Sequence, residues 1–115
     1  LEGMFYPDGS LQEYKVKALT RAYIQAFQGE PINMFYNSES KYFVTIFNYY
    51  KSIKAGTILY FNNELNYKYG FDLVVEGTSN YDVDESQKNY LTITVKDDIN
   101  LQVTIRLTPK IETAN

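Results

Sequence analysis

The sequence predicts a mainly β protein, an antiparallel two-sheet β-sandwich of the immunoglobulin-like or carbohydrate-binding-module-like kind, preceded by one N-terminal helix. Three observations predict this fold class. Aromatic and β-branched residues recur with a period of two from Ile32 onward, short turn clusters separate these runs, and no helical pattern follows residue 30. A length of 115 residues allows one compact domain.

The predicted helix begins at Ser10, because Ser10 and Glu13 have the spacing of a capping box. One apolar stripe is formed by residues that lie mostly three or four apart, namely Leu11, Val16, Leu19, Tyr23 and Phe27. Gly29 and Pro31 end this helix at the latest, and an earlier end within residues 21–28 stays open. We therefore expect residues 1–30 to be a helix and linker, 31–109 the sandwich, and 110–115 a frayed polar tail.

Five segments rich in aromatic and β-branched residues are predicted strands: 42–50, 57–61, 71–76, 90–96 and 99–108. In the last two segments the alternation predicts which residues face the core, namely Leu91, Ile93, Val95, Leu101, Val103, Ile105 and Leu107. The opposite parity predicts the residues that face water, namely Thr92, Thr94, Gln102, Thr104 and Arg106. Asp97 and Asp98 are predicted to join these two strands as a hairpin.

The composition excludes several classes of function. The chain has no histidine and no cysteine, so it cannot build a Ser-His or Cys-His nucleophile, a zinc site of the usual ligands or a disulfide framework. A formal charge of -3 supplies no basic stripe, so we expect no nucleic acid partner. No apolar run reaches the ~18 residues of a membrane-spanning helix. We predict neither a cofactor nor a metal.

The densest acidic group consists of Asp82, Asp84 and Glu85. Glycoside hydrolysis needs two carboxylates about 5 to 9 Å apart in a cleft. A calcium loop needs a glycine and a terminal glutamate that are absent here. The ordinary explanation is a solvated acidic loop, so we assign no catalytic and no metal-binding residue.

Aromatic residues are the more informative set, with 12 tyrosines and 7 phenylalanines. Five tyrosines could form a flat platform for sugar rings: Tyr49, Tyr50, Tyr60, Tyr67 and Tyr69. The alternative is that these rings pack in the core or across strands, which is why β-sheets are rich in tyrosine. Both explanations stay open at this point.

Several stretches of the chain resemble a known family. Residues 17–31 read KALTRAYIQAFQGEP and are similar to the L-x-R-x-Y-x-x-A-x-x-G-x-P junction of endoglycoceramidase-type enzymes of glycoside hydrolase family 5. Residues 56–60 (GTILY) and 67–77 (YKYGFDLVVEG) resemble the T-x-I-Y and Y-x-x-G-[YF]-x-V-x-x-x-G run of the same C-terminal domain. Residues 89–93 and 103–109 continue the resemblance in the right order, so it covers nearly the whole chain.

The resemblance implies that the first residues complete a catalytic (β/α) barrel and that the remainder is a non-catalytic accessory sandwich. It places Val16, Leu19 and Tyr23 at an interface with that barrel, which would lie in the same enzyme or in a separate chain. The hydrolases of this family remove the oligosaccharide from ceramide with two barrel glutamates, and neither lies in these 115 residues. A glycan or glycolipid partner and a secreted or lysosomal-like compartment follow from the resemblance alone.

Two other functions are compatible with a tyrosine-rich sandwich. One is a free-standing carbohydrate-binding module, and the other is a structural immunoglobulin-like interaction domain. The N-terminal segment distinguishes them from the accessory domain, because a self-contained module does not need an amphipathic helix that ends a barrel.

Overall fold

The computed structural model describes residues 22–62, 67 and 69–111. These residues form eight strands, β1 (Tyr23–Ala26), β2 (Gly29–Tyr36), β3 (Phe43–Tyr49), β4 (Thr57–Tyr60), β5 (Phe71–Glu76), β6 (Tyr81–Asp84), β7 (Tyr90–Val95) and β8 (Leu101–Pro109). Among the described residues there is no helix that could cross a membrane.

The strands form two four-stranded sheets. Sheet A has the order β1-β4-β7-β6, and sheet B has the order β2-β3-β8-β5. Every neighbouring pair is antiparallel. One cluster of buried residues from both sheets forms the core. The predicted two-sheet antiparallel fold is therefore confirmed.

The predicted register of β7 and β8 is also confirmed. Six of the seven aliphatic residues predicted to face the core are at most 2% exposed. The seventh, Leu101, is partly buried and packs against the same core. The threonines of opposite parity point away from the core, because neighbouring side chains on a strand project to opposite faces.

The predicted hairpin between β7 and β8 is wrong. β7 pairs with β4 and β6 in sheet A, whereas β8 pairs with β3 and β5 in sheet B. The chain at Asp97 and Asp98 therefore crosses from one sheet to the other. Alternation shows which side of a strand is buried. It does not show which sheet the strand belongs to, because strands of both sheets bury one side in the shared core and alternate in the same way.

The predicted N-terminal helix cannot extend past residue 21, because β1 begins at Tyr23 and β2 at Gly29. Tyr23 and Ile24 are aromatic and β-branched, and Ile24 is buried in the core although it lies off the predicted helical stripe. Phe27 packs on Phe47 with a ring distance of 5.6 Å. The sandwich strands therefore begin at Tyr23 rather than after residue 31. Residues 10–21 of the predicted helix lie outside the described residues.

Strand β6 was not predicted. Asp82 and Asp84, which the sequence predicts to lie in a loop, lie on this edge strand and are exposed. Carboxylates at the edge of a sheet discourage pairing with another chain, which is a reason for such residues to occur there. At the C-terminus, Lys110 and Ile111 are exposed and the rest of the expected tail lies outside the described residues.

Candidate functional site

Three tyrosines stand side by side on the outer face of sheet A. Tyr23 of β1 lies opposite Tyr60 of β4, and Tyr60 lies opposite Tyr90 of β7. The ring centroids are 5.2 Å apart for Tyr23 and Tyr60, and 5.4 Å apart for Tyr60 and Tyr90. Tilted and edge-on rings at such distances attract each other. We call Tyr23, Tyr60 and Tyr90 the tyrosine ladder.

The tyrosine ladder points away from the core because of its register. The next residues along β4 and β7, Leu59 and Leu91, are opposite each other and fully buried between the sheets. Tyr60 must therefore project to the outer face, and yet it is only 8% exposed. Burial raises the pKa of the Tyr60 phenol, and the neighbouring phenols of Tyr23 and Tyr90 raise it further. The Tyr60 phenol therefore stays uncharged at physiological pH.

The outer face of sheet A is aromatic on β1, β4 and β7 and acidic on β6. Ile58 is half-buried and lies next to the ladder on β4. On β6 the outward side chains are Asp82 and Asp84, opposite Thr94 and Thr92. Asp82 forms an ion pair with Lys96. Hydrogen bonds from Ser86, including 2.8 Å from its backbone N–H, lower the pKa of the Asp84 carboxyl.

Gln28 joins the two sheets where the chain crosses from β1 to β2. Its side chain is 1% exposed. The Nε2 group donates to the carbonyls of Ile53 at 2.8 Å and Val95 at 3.0 Å, and Oε1 accepts from the Val95 N–H at 2.8 Å. The Gln28 backbone N–H donates to the Thr57 hydroxyl at 2.9 Å. The amide therefore satisfies backbone groups of two other segments.

A polar pocket of about 220 Å³ adjoins this junction. Its lining includes Tyr49 together with two lysines and two aspartates, Lys54, Lys96, Asp97 and Asp98. The Tyr49 hydroxyl donates to the Asp97 carbonyl at 2.7 Å, and its ring is buried. No flat aromatic surface therefore faces this pocket among the residues that line it, so it lacks the feature that usually holds a sugar ring.

The five tyrosines proposed as a sugar platform do not share one surface. Tyr49 and Tyr67 are core residues, and the Tyr67 hydroxyl donates to the Lys41 carbonyl at 2.8 Å. Tyr60 belongs to the ladder on sheet A. Tyr50 follows β3 and donates to Glu30 at 2.8 Å, whereas Tyr69 is exposed in the turn before Gly70. Packing in the core or across strands therefore accounts for three of these rings, namely Tyr49, Tyr67 and Tyr60.

Tyr23 belongs to the interface that the sequence predicts, whereas Tyr90 and Gln28 are not among the predicted site residues. Tyr90 has the same parity as Thr92 and Thr94, so the alternation of β7 already contained the signal for its outward position. Gln28 had no such signal, because its partners are backbone groups 25 and 67 residues away. Val16 and Leu19, the other residues of the expected interface, lie outside the described residues.

The acidic residues that the sequence singles out lie apart from the pocket beside Gln28. Asp82, Asp84 and Glu85 are all exposed on or beside an edge strand. Within the described part of the chain, no group of three acidic residues could hold a metal ion.

Two facing four-stranded antiparallel sheets with a single shared core define the class of this protein as a β-sandwich domain. The model of one sequence family, the glycoside hydrolase family 5 C-terminal domain, matches residues 21–107. The chain belongs to this family. The match begins within two residues of β1, in agreement with the observed start of the sandwich.

Solved structures of similar fold include an endo-glycoceramidase and a sterylglucosidase. Endo-glycoceramidase II from Rhodococcus sp. matches with a TM-score of 0.57 and 28% identity over 94% of this chain and 23% of that chain. Its complex with ganglioside GM3 matches with a TM-score of 0.58 at the same identity, over 94% of this chain and 22% of that chain. Sterylglucosidase 1 from Cryptococcus neoformans has a TM-score of 0.58 and 19% identity over 83% of this chain and 14% of that chain, which shows a shared fold alone. No curated protein matches the chain.

The chain spans less than a quarter of the length of these structures. Most of each relative therefore has no counterpart in the 115 residues.

Proposed function

We propose that the chain is the non-catalytic C-terminal sandwich of a glycosphingolipid-hydrolysing glycoside hydrolase. In this proposal it supports a catalytic barrel, in the same polypeptide or in a separate chain, and helps to orient a membrane glycolipid. The observation that carries the proposal is the match of 28% identity over 94% of the chain to endo-glycoceramidase II, a structure also solved with ganglioside GM3. The family match over residues 21–107 supports the same assignment.

The geometry of the described residues favours a supporting role over bond cleavage. The outward carboxylates of β6 are exposed, and Asp82 is already paired with Lys96. The pocket beside Gln28 contains cations and carboxylates, but Tyr49 is turned into the core there. A general acid for glycoside hydrolysis needs a raised pKa, whereas the pKa of Asp84 is lowered. The bond-breaking glutamates would therefore lie on the barrel.

The two outer faces suggest two surfaces for this role. The outer face of sheet A carries the tyrosine ladder, and we expect Tyr23 to contact the barrel side together with Val16 and Leu19. The outer face of sheet B exposes Phe35 and Val74, at 51% and 44%. Apolar side chains of this kind could rest against a lipid-rich surface that carries the substrate.

The proposal is tested on native material purified with an antibody to the sandwich. We expect mass spectrometry to identify barrel peptides, either in a polypeptide larger than 13.4 kDa or in a copurifying chain. We also expect the material to release oligosaccharide from a ganglioside. The 115-residue chain alone should release none, and Asp82→Asn should change nothing in either sample.

Two results would contradict the proposal. Native material of 13.4 kDa with no barrel and with binding on a glycan array would indicate a free-standing carbohydrate-binding module. The same mass with neither barrel nor glycan binding would indicate an interaction domain of the immunoglobulin-like kind.

A further inference from the structure

Strand β2, an edge strand of sheet B, is exposed along most of its length. The six residues from Glu30 to Phe35 are all exposed, although β2 pairs with β3 from its first residue to its last. Met34 lies opposite Thr45, which is 1% exposed, so Met34 has the parity of the side chains that face the core. Met34 is nevertheless 42% exposed. The sandwich therefore leaves part of the inward side of β2 uncovered.

The uncovered side of β2 meets the free edge of β1. The Ile24 N–H donates to the Met34 sulfur at 3.4 Å, so the edge strands of the two sheets lie side by side. The register of β1 shifts after Ile24, and the register of β2 shifts at Ile32, which has no partner residue in β3 and is 49% exposed. Such bulges oppose the addition of a further strand. We call Ile32 and Met34, beside β1, the open edge.

The open edge is apolar. Glu30 is the only charged residue of β2, and it lies opposite Asn48 on the outer face of sheet B, where it accepts a hydrogen bond from Tyr50. On the inward side, the open edge continues into Tyr36, which is half-buried and packs against the core. A surface that covers the open edge must itself be apolar, because an unpaired charge buried there would cost free energy.

The chain enters the sandwich at this edge. Ala22 is buried in the core cluster, two residues before the Ile24 N–H that contacts Met34. The matched family is a C-terminal domain, and most of endo-glycoceramidase II has no counterpart in this chain. A C-terminal domain follows the rest of its enzyme. A catalytic domain that precedes the sandwich would therefore join it beside the open edge.

We propose that the open edge is the surface on which the sandwich rests against the preceding catalytic barrel, with Ile32 and Met34 buried in the contact. Packing of apolar side chains holds this contact, since the bulges oppose strand addition. The inference rests on the proposed function, because it takes the preceding domain to be the barrel. It deepens that function by naming the surface through which the sandwich supports the barrel. Phe35 lies on the outer face of sheet B and stays outside the contact.

Hydroxyl-radical labelling followed by peptide mass spectrometry tests the contact, because it measures how exposed each side chain is. Met34 and Phe35 are adjacent and are 42% and 51% exposed, so Phe35 is the matched control. In native material that contains the barrel, Met34 should be labelled about fivefold more slowly than in the 115-residue chain, as for a side chain in the packed core of an interface. Phe35 should be labelled at the same rate in both samples.

A pair of variants connects the protection of Met34 with the apolar contact. Ile32→Asp places a charge in the contact, so it should raise Met34 labelling in barrel-containing material toward the rate of the 115-residue chain. Phe35→Asp should leave Met34 protected. Both positions are about half exposed, and far-UV circular dichroism checks that each variant keeps its fold. Unchanged protection of Met34 in Ile32→Asp would overturn the inference.

The remaining results distinguish this inference from the proposed function. Equal Met34 labelling with and without the barrel would overturn the inference alone, whereas native material without a barrel would overturn both. Slow Met34 labelling in the 115-residue chain at every protein concentration would assign the cover to the chain itself. Labelling that slows as the concentration rises would assign it to a second copy. Either of these two results would also overturn the inference.

Discussion

The most direct test of the architecture is the removal of the Gln28 side-chain amide. In Gln28→Ala, the Val95 N–H loses its acceptor, and the carbonyls of Ile53 and Val95 lose a donor. Gln28 is 1% exposed, so these groups lie where solvent is mostly excluded. The amide also connects segments that are far apart in sequence, so no local rearrangement can replace it.

The expected loss follows from the three backbone groups. A buried polar group left without a partner costs about 1 to 3 kcal/mol. The pocket beside Gln28 measures about 220 Å³, so water can reach some of these groups and reduce the loss. We therefore expect about 3 kcal/mol, the lower end of the combined range. This is a large part of the about 5 to 15 kcal/mol by which domains are stable.

Urea unfolding at 25 °C, followed by far-UV circular dichroism, measures this loss. With a slope of about 1.5 kcal/mol per molar, the unfolding midpoint should fall by about 2 M. Gln25→Ala is the matched control, because Gln25 lies on β1 and is exposed. Its effect should stay within about 0.5 kcal/mol.

A second variant separates hydrogen bonding from packing. Gln28→Glu keeps the shape and the acceptor for Val95 but replaces two donated hydrogen bonds with a carboxylate that faces two carbonyls. The folded state then raises the carboxyl pKa above its unfolded value of about 4.3, so stability is retained below that pH and lost as the pH rises. Two results would refute this reasoning. One is a loss of unfolding free energy in Gln28→Ala that only equals the loss in Gln25→Ala. The other is a Gln28→Glu variant that is as stable at pH 7 as at pH 4.

Two further predictions concern a glycine and a buried phenol. Gly77 has a φ of +99°, and a Cβ at this position would lie 2.2 Å from the Gln102 carbonyl oxygen. A Cβ at Gly70 would have the Lys110 side chain as its nearest neighbour, at 3.5 Å. Gly77→Ala should therefore lower the thermal midpoint far more than Gly70→Ala. Burial raises the pKa of Tyr67 above its ordinary value of 10.0, so its neutral phenol supports folding below pH 10 and this stability is lost as the pH rises further. Tyr67→Phe should flatten that alkaline loss in denaturation curves between pH 9 and pH 12, roughly the range of phenol ionisation, and an unchanged curve would contradict the assignment.

The sequence predicted the fold class well because the strongest signal, the alternation in β7 and β8, depends only on which side of a strand is buried. The pairing of the strands was harder to predict. Nothing at Asp97 and Asp98 distinguishes a hairpin turn from a crossing between sheets, because both need polar residues that tolerate a bend. The pairing of β1 with β4 is also invisible in the sequence, since it depends on a contact between residues such as Tyr23 and Tyr60.

The candidate site was predicted only in part, for a related reason. Tyrosine serves equally well in a core, between strands and on a surface, so residue type did not separate Tyr67 from Tyr69. The residues around Tyr23 fit both the spacing of a helix and the alternation of a strand. The burial of Ile24 shows that this segment is a strand. Gln28 acts through backbone groups, which carry no residue-specific signal.

The order of strands in sheet B sets a condition on how this domain is made. β8, the last of the described strands, lies between β3 and β5, and among the described strands of sheet B β5 pairs with β8 alone. Before β8 has been synthesised, β3 therefore has one unpaired edge and β5 has no partner in its sheet. Sheet B cannot be completed until β8 leaves the exit tunnel, so these unpaired edges are exposed to aggregation during synthesis. A premature stop codon before Leu101 would yield a chain prone to aggregation rather than a slightly shortened sandwich.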